Sequence, residues 1–457
     1  MFFKLCILLS IASLLPAQEK SDLERVLERL DRLEQDNRAL AAEVHALRDE
    51  LAASRVTPPE TSPPPAAATP QAPTLEERVA VNESRVDELA QTKVEASQRF
   101  PIKLNGTLLF NTFLNGLDNG GQEYPTTASL STNRGVAGAT LSQTLIGLTF
   151  DGPHIFGGGR VNGTLDMDLW GGTSSSLNHL MRMRVATIDL EWKNQTLTVG
   201  QDKPIISPRD PTSLAQVAVS PLTGAGNLWL WQPQVRFEQR FSMGSSAGVR
   251  AQAGVYETSE PTSGVPTEYA GTVAPARPAA EARVEFWRKW GDTRRVEIAG
   301  GYHTSRSHVA GASLPSNLYT ADWLLQPVRK FQVTGMFFQG QDAAGLGGIR
   351  QGFTVFNDGR AVPVGVLGGW AQLTYLATSR LSFNTYGGEE DDRAADLLAG
   401  AIHRNFVYAG NAIYRFAPNV MLAVEASQTR TSYLGSISPG FLLRVNNHYD
   451  LALGYLF

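Results

Sequence analysis

The sequence predicts an all-β transmembrane barrel of about 16 antiparallel strands, preceded by an N-terminal α-helical coiled coil. Three observations carry that reading. The hydrophobic period changes from about 3.5 residues to two near Phe100. From there, segment after segment has one apolar face and one charged face. The connections between these segments alternate in length, short and then long. Composition agrees: hydrophobic residues make up 42% of the 457 and charged ones 18%, with 43 glycines. A formal charge of −4 argues against a nucleic-acid partner. No apolar run reaches the roughly 18 residues of a helical membrane span, which leaves barrel strands open.

Residues 1–17 read as a secretory signal peptide: Lys4, an apolar stretch from Leu5 to Leu15, then small residues near Ala17. Leu15 is larger than a cleavage site usually has at that place. Cys6, the single cysteine, lies within this segment, so the mature chain is expected to use no disulfides. Residues 18–55 follow as a coiled coil. Leu23, Val26, Leu30, Leu33, Asn37, Leu40, Val44, Leu47 and Leu51 are separated by alternating steps of three and four, a narrow seam suited to self-association. Arg29 with Glu34, and Glu43 with Arg48, flank it. Asn37 in the seam fixes register and favours a dimer, in tension with the trimer expected below. Residues 56–73 (VTPPETSPPPAAATPQAP) form an extended proline-rich spacer, and residues 74–98 a second short helix with Leu75, Val79, Asn82, Val86 and Leu89 at core spacing.

The barrel is assigned to residues 99–457. In RVNGTLDMDLW, Val161, Leu165, Met167 and Leu169 share one face, and Asn162, Thr164, Asp166 and Asp168 the other. In QVRFEQRF, Val235, Phe237 and Phe241 oppose Gln234, Arg236, Glu238 and Arg240; in EARVEFWRKW, Ala282, Val284 and Phe286 oppose Glu281, Arg283 and Glu285. Strands are expected to begin near Lys103, Ala139, Arg160, Met181, Thr196, Leu228, Gly248, Ala280, Arg295, Leu318, Phe331, Val366, Leu381, Phe406, Val420 and Leu442. WKNQT, FSMGSS, WGDT, LATSR and FAPN are the tight turns; GLDNGGQEYPTTASLSTNRG, TSEPTSGVPTEYAGTVAPARP and QDAAGLGGIRQGFTVFNDGRAVP are long loops. DGPHIFGGG fits poorly, being long for a tight turn.

An open strand edge is excluded in hydrocarbon, so the last strand is expected to pair with IKLNGTLLFNTF, the first. Tyr449, Leu451, Leu453, Tyr455 and Phe457 then form a lipid-facing stripe with aromatics near both ends. Their alternation and terminal Phe resemble the signal by which bacterial outer-membrane proteins meet their insertion machinery.

About sixteen strands leave a lumen wide enough for water. Asp166, Asp168, Arg236, Glu238, Arg240, Arg250, Glu281, Arg283 and Glu285 are expected to line it, since a wet pore solvates charges that a dry core would not. The connection Gln201–Asn227 is long, proline-rich and sparsely charged, with Asp202, Lys203, Arg209 and Asp210. The plan resembles trimeric sixteen-stranded porins, in which the third long loop folds inward as a constriction. By that resemblance, Arg209 and Asp210 face Arg236, Arg240 and Arg250 across a narrow neck. An outward loop capping the barrel is the alternative.

SQTLIGLTF, MRMRVATIDLEW, LTVGQDKP and WQPQVRF are similar to stretches of the DcaP-like trimeric porins, which join a coiled coil to such a barrel. GQDKP also looks like a strand end of phosphate-type porins. The resemblance implies a homotrimer in the outer membrane of a Gram-negative-type bacterium, with its stalk in the periplasm. It implies contact with outer-membrane lipid and lipopolysaccharide, and passage of small anions, dicarboxylates or phosphate among them. Arg182 and Arg184 depart from a simple lumen assignment, because they share phase with Ala186, Ile188, Leu190 and Trp192, and a place above the membrane or at a subunit contact is expected for them instead.

Two other classes compete. His154, His179, His303, His308, His403 and His448 form no hydrolase cluster, and no metal spacing or nucleotide motif occurs, so neither enzyme activity nor a cofactor is expected. A structural tether whose coiled coil contacts peptidoglycan is the stronger rival.

Overall fold

The structure, a computed structural model, describes residues 46, 102–131, 134–172, 179–259, 265, 267–273, 277–435 and 440–457. The chain divides into two units, Met1–Phe100 and Pro101–Phe457. The expected signal peptide, spacer and second helix lie outside the described residues, as does the coiled coil except for Ala46, which is helical and exposed.

The second unit is built of strands. In chain order these are β1 (Ile102–Asn115), β2 (Val136–Thr140), β3 (Leu145–Ile155), β4 (Gly159–Gly171), β5 (Leu180–Glu191) and β6 (Gln195–Asp202). Then come β7 (Gln232–Ser242), β8 (Ala247–Thr258), β9 (Arg277–Trp290), β10 (Arg294–Val309), β11 (Ala312–Val328) and β12 (Phe331–Gln341). A small hairpin, β13 (Phe353–Val355) with β14 (Ala361–Pro363), stands apart. β15 (Gly365–Leu376), β16 (Leu381–Asp392), β17 (Ile402–Ala417), β18 (Val420–Leu434) and β19 (Phe441–Leu456) complete the chain.

From β3 onward each strand of the large sheet pairs antiparallel with the next one in that sheet, β12 with β15 across the small hairpin, and β1 also pairs with β19. β2 and β3 both pair with β1, in line with each other, so the 17-stranded sheet closes as a barrel of sixteen staves. The seam runs from Thr107 opposite Leu456 to Asn115 opposite His448. Below it, Gly106 and Phe457 exchange backbone hydrogen bonds of 3.0 and 3.2 Å. Closure leaves the first and last strands no open edge.

Two-residue periodicity sorts side chains between the faces. On β19, Tyr449, Leu451, Leu453 and Tyr455 are exposed outward, as is Phe457 just beyond it, while Asn446, His448, Asp450 and Ala452 are buried inward. Leu104, Leu108, Phe110 and Leu114 continue the apolar wall on β1, and Val424 on β18.

The tight turns lie where the sequence places them, at 192–194, 243–246, 291–293, 377–380 and 418–419. DGPHIFGGG is resolved by a bulge between Asp151 and His154, which lets β3 run to Ile155 and leaves only Phe156–Gly158 as the turn. The expected start near Leu318 is too late. β10 and β11 form one long hairpin closed by Ala310 and Gly311, with φ of 51° and 77°. Pro315 inside β11, opposite Arg306, disguises that strand in the sequence. The apolar Leu228–Trp231 run, expected to open a strand, ends a loop instead; β7 begins at Gln232.

Candidate functional site: a loop across the barrel interior

Residues 203–231 connect β6 to β7 and fold into the barrel rather than capping it. Prolines and small residues give the loop little helix or strand propensity but many backbone groups to satisfy. The wall supplies the partners. Ile205 N–H donates to Glu281 on β9 at 3.0 Å, and Thr212 N–H to Gln372 on β15 at 2.6 Å. Asn411 on β17 and Asn111 on β1 donate to the carbonyls of Thr212 and Leu214 at 2.8 and 2.9 Å. Ser213 Oγ donates to Glu425 on β18 at 2.7 Å. Gln143, in the break between β2 and β3, accepts from Val217 and Ala218 N–H at 2.8 and 2.7 Å. The loop thus touches strands on nearly every side of the lumen.

Its apolar residues bury against the wall. Ile205, Ile206, Leu222, Ala225 and Leu228 join Leu318, Met336, Phe338, Trp370, Tyr386 and Val407 in one cluster. The lumen is therefore not polar throughout, as a simple alternation implies: where the loop docks, wall and loop form a dry core. At the tip, backbone rests directly on backbone. A Cβ on Gly226 (φ +96°) would lie 2.2 Å from Gly369 O, and one on Gly388 2.3 Å from Ala225 O.

The first long loop also turns inward. Tyr124 Oη donates to Asp450 at 3.1 Å, and Asn405 Nδ2 donates to Thr126 O at 3.0 Å. Burial first, and the Asp450 charge second, raise the Tyr124 phenol, which stays a neutral donor.

The expected charge pattern is partly rearranged. Arg209 does not face Arg236, Arg240 and Arg250. It enters an acidic niche, donating to Asp322 on β11 and Glu297 on β10, with Glu285 on β9 at 3.6 Å. Asp210 pairs with Lys203 at the root of the loop and accepts from Asn227 at 3.1 Å. Asp202 pairs with Arg236 at 2.8 Å. Local pairing thus outcompetes an opposition across the lumen, because desolvated charges are stabilised only by close partners.

All nine expected lining residues point inward, but not alike. Glu281, Arg283 and Glu285 are fully buried: Glu281 holds His303 at 2.9 Å, and Arg283 binds Asp322 and Glu285 at 2.8 and 2.6 Å. Asp166 is half-buried beside Asn105 and Gly147. Asp168 is buried and paired with Arg182 at 2.6 Å. Arg240 and Arg250 lie directly opposite each other, an unfavourable like-charge pair offset by Glu238 and Glu285.

Exposure gives this wall its sign. The side chains of Arg182, Arg240, Arg250 and Arg295 are 31, 50, 32 and 41% exposed. Their partners Asp168, Glu238, Glu285 and Glu297 are only 0, 12, 1 and 16% exposed. In these four pairs the guanidinium group covers its carboxylate.

Arg182 and Arg184, expected above the membrane or at a subunit contact, belong to this interior. Met167 pairs with Met183 and Asp166 with Val185, so Arg184 is the extra residue of a bulge on β5. The bulge resets the alternation: Arg182 joins Asp168 inside, while Met183 and Ile188 remain outside. The amides Gln143, Gln372, Asn111 and Asn411 also escape sequence reasoning, because an uncharged polar residue on a strand carries no signal of what it holds.

No family model matches the sequence, and no curated protein matches it significantly. Among solved structures, the chain is similar to the outer membrane channel DcaP of Acinetobacter baumannii, with 17% identity and a TM-score of 0.65 over 78% of this chain and 97% of that one. It is also similar to the anion-selective porin from Comamonas acidovorans, at 10% identity and a TM-score of 0.52, over 78% of this chain and 99% of that one. The fold of this chain is that of the sixteen-stranded outer-membrane channels, and the DcaP-like porin architecture fits it.

Proposed function

We propose that this chain is an outer-membrane porin, a water-filled channel for passive diffusion of small hydrophilic solutes with a preference for anions. One observation carries the reading: a closed barrel with an apolar outside has a charged interior narrowed by an inward loop. The guanidinium-covered wall supports the anion preference. Liposomes containing the protein should swell faster in succinate or phosphate than in neutral sugars of similar size. Equal rates for all three would remove the anion preference.

The assembly proposed is a homotrimer whose periplasmic stalk, Leu23 to Leu51, assists subunit association, with lipid and lipopolysaccharide around the barrel. Tyr449, Leu451, Leu453, Tyr455 and Phe457 serve as the insertion signal. Deleting the stalk should lower the oligomer mass seen by light scattering or slow its formation; an unaltered mass and rate would contradict that role. The rival reading, a tether whose coiled coil contacts peptidoglycan, rests on the same stalk and is compatible with a pore.

A further inference from the structure

We propose that Arg182, Arg184 and Trp231 form a binding subsite inside the lumen for aromatic carboxylates. The inference rests on the pore reading and names a solute class for it. Both guanidinium groups lie over the Trp231 ring, with Cζ 5.3 and 4.7 Å from its centroid. Trp229 meets the same ring edge-on at 4.8 Å, fixing its orientation.

A guanidinium stacked on an aromatic face keeps its N–H edge available for a carboxylate. Asp168 uses only part of that edge. Arg182 Nε and Nη2 bind its two oxygens at 3.1 and 2.6 Å, and Nη2 also donates to Ala218 O at 2.7 Å. Arg182 Nη1 makes no hydrogen bond among the described residues, and the side chain is partly open. Arg184 stands 3.7 Å from the same carboxylate, and its Nη1 is buried with no hydrogen-bond partner among the described residues. Two guanidinium groups thus share the buried Asp168 carboxylate, and Asp166 faces Arg184 as a second acid.

Beside these donors, Leu230 and Trp231 are half-buried and present an apolar surface. A solute with a carboxylate on a flat ring meets both features: its oxygens reach Arg182 Nη1 while its ring lies along Trp231. An aliphatic carboxylate gains the first contact and little of the second; chloride gains only the charge.

The test is block of chloride current through the full-length chain in planar bilayers, with benzoate and propionate compared. Each is read as its half-blocking concentration. For the wild type, benzoate should half-block at about a fivefold to tenfold lower concentration than propionate, the scale of one aromatic contact. In Trp231→Leu the ratio should fall towards about one, and Trp231→Phe should keep most of it. Arg182→Lys, which preserves the charge on Asp168, should weaken block by both anions without collapsing their ratio. Equal block by both anions in the wild type, or a ratio unmoved in Trp231→Leu, overturns the subsite. Absence of any current from folded wild type overturns the pore reading instead.

Discussion

Replacing Arg209 by alanine should release the interior loop and raise open-channel noise, with a marked loss of thermal stability. Arg209 is the loop's charged anchor in a niche of Asp322, Glu297 and Glu285, of which Asp322 and Glu285 are buried. Removing the cation leaves those carboxylates short of a partner, although Arg283 and Arg250 still hold Asp322 and Glu285. Breaking a buried ion pair from one side costs about 3–5 kcal/mol, and the remaining arginines place this site near the lower end. The temperature at which the barrel loses its heat-modifiable gel mobility should fall accordingly. Arg209→Lys should fall between, because a point charge cannot span two strands as a planar fork does. A variant as stable and as quiet as the wild type would show that the loop is held by its amide contacts alone.

Valine at Gly226 or Gly388 should displace the tip of the same loop. Each added Cβ would lie within about 2.3 Å of a backbone oxygen, far inside contact distance. At Gly226 the φ of +96° adds strain that a β-branched residue resists. Overpacking of this kind costs about 1–3 kcal/mol when neighbours can shift. The loop can shift more readily than β15 or β16, whose ladders hold them. Protease applied from the loop side should therefore cut between residues 203 and 231 in the variants and spare the wild type. Equal resistance would mean that the tip tolerates a lift without leaving the wall.

Much of this architecture is legible in the sequence because membrane strands obey a simple rule. Alternation alone assigns Tyr449, Leu451, Leu453, Tyr455 and Phe457 to the outside and Glu281, Arg283 and Glu285 to the inside, and turn residues mark the tight connections. The rule fails where one residue is added. The bulge at Arg184 reverses the phase of its strand, so the two arginines read as outward in sequence and lie inward in the fold. It fails again at Pro315, which sits in a strand despite its missing N–H, and at Leu228–Trp231, whose apolar run serves a loop buried inside the barrel. Partner choice is the least legible feature. Arg209 could have met any inward charge; which one depends on the course of a 29-residue connection, residues 203–231, that periodicity does not describe.

The pore itself is tested most directly by single-channel recording of purified full-length protein in planar bilayers. Discrete current steps, with a reversal potential in a potassium chloride gradient displaced towards that of chloride, are the predicted result. A correctly folded, heat-modifiable barrel that inserts and passes no current would contradict it.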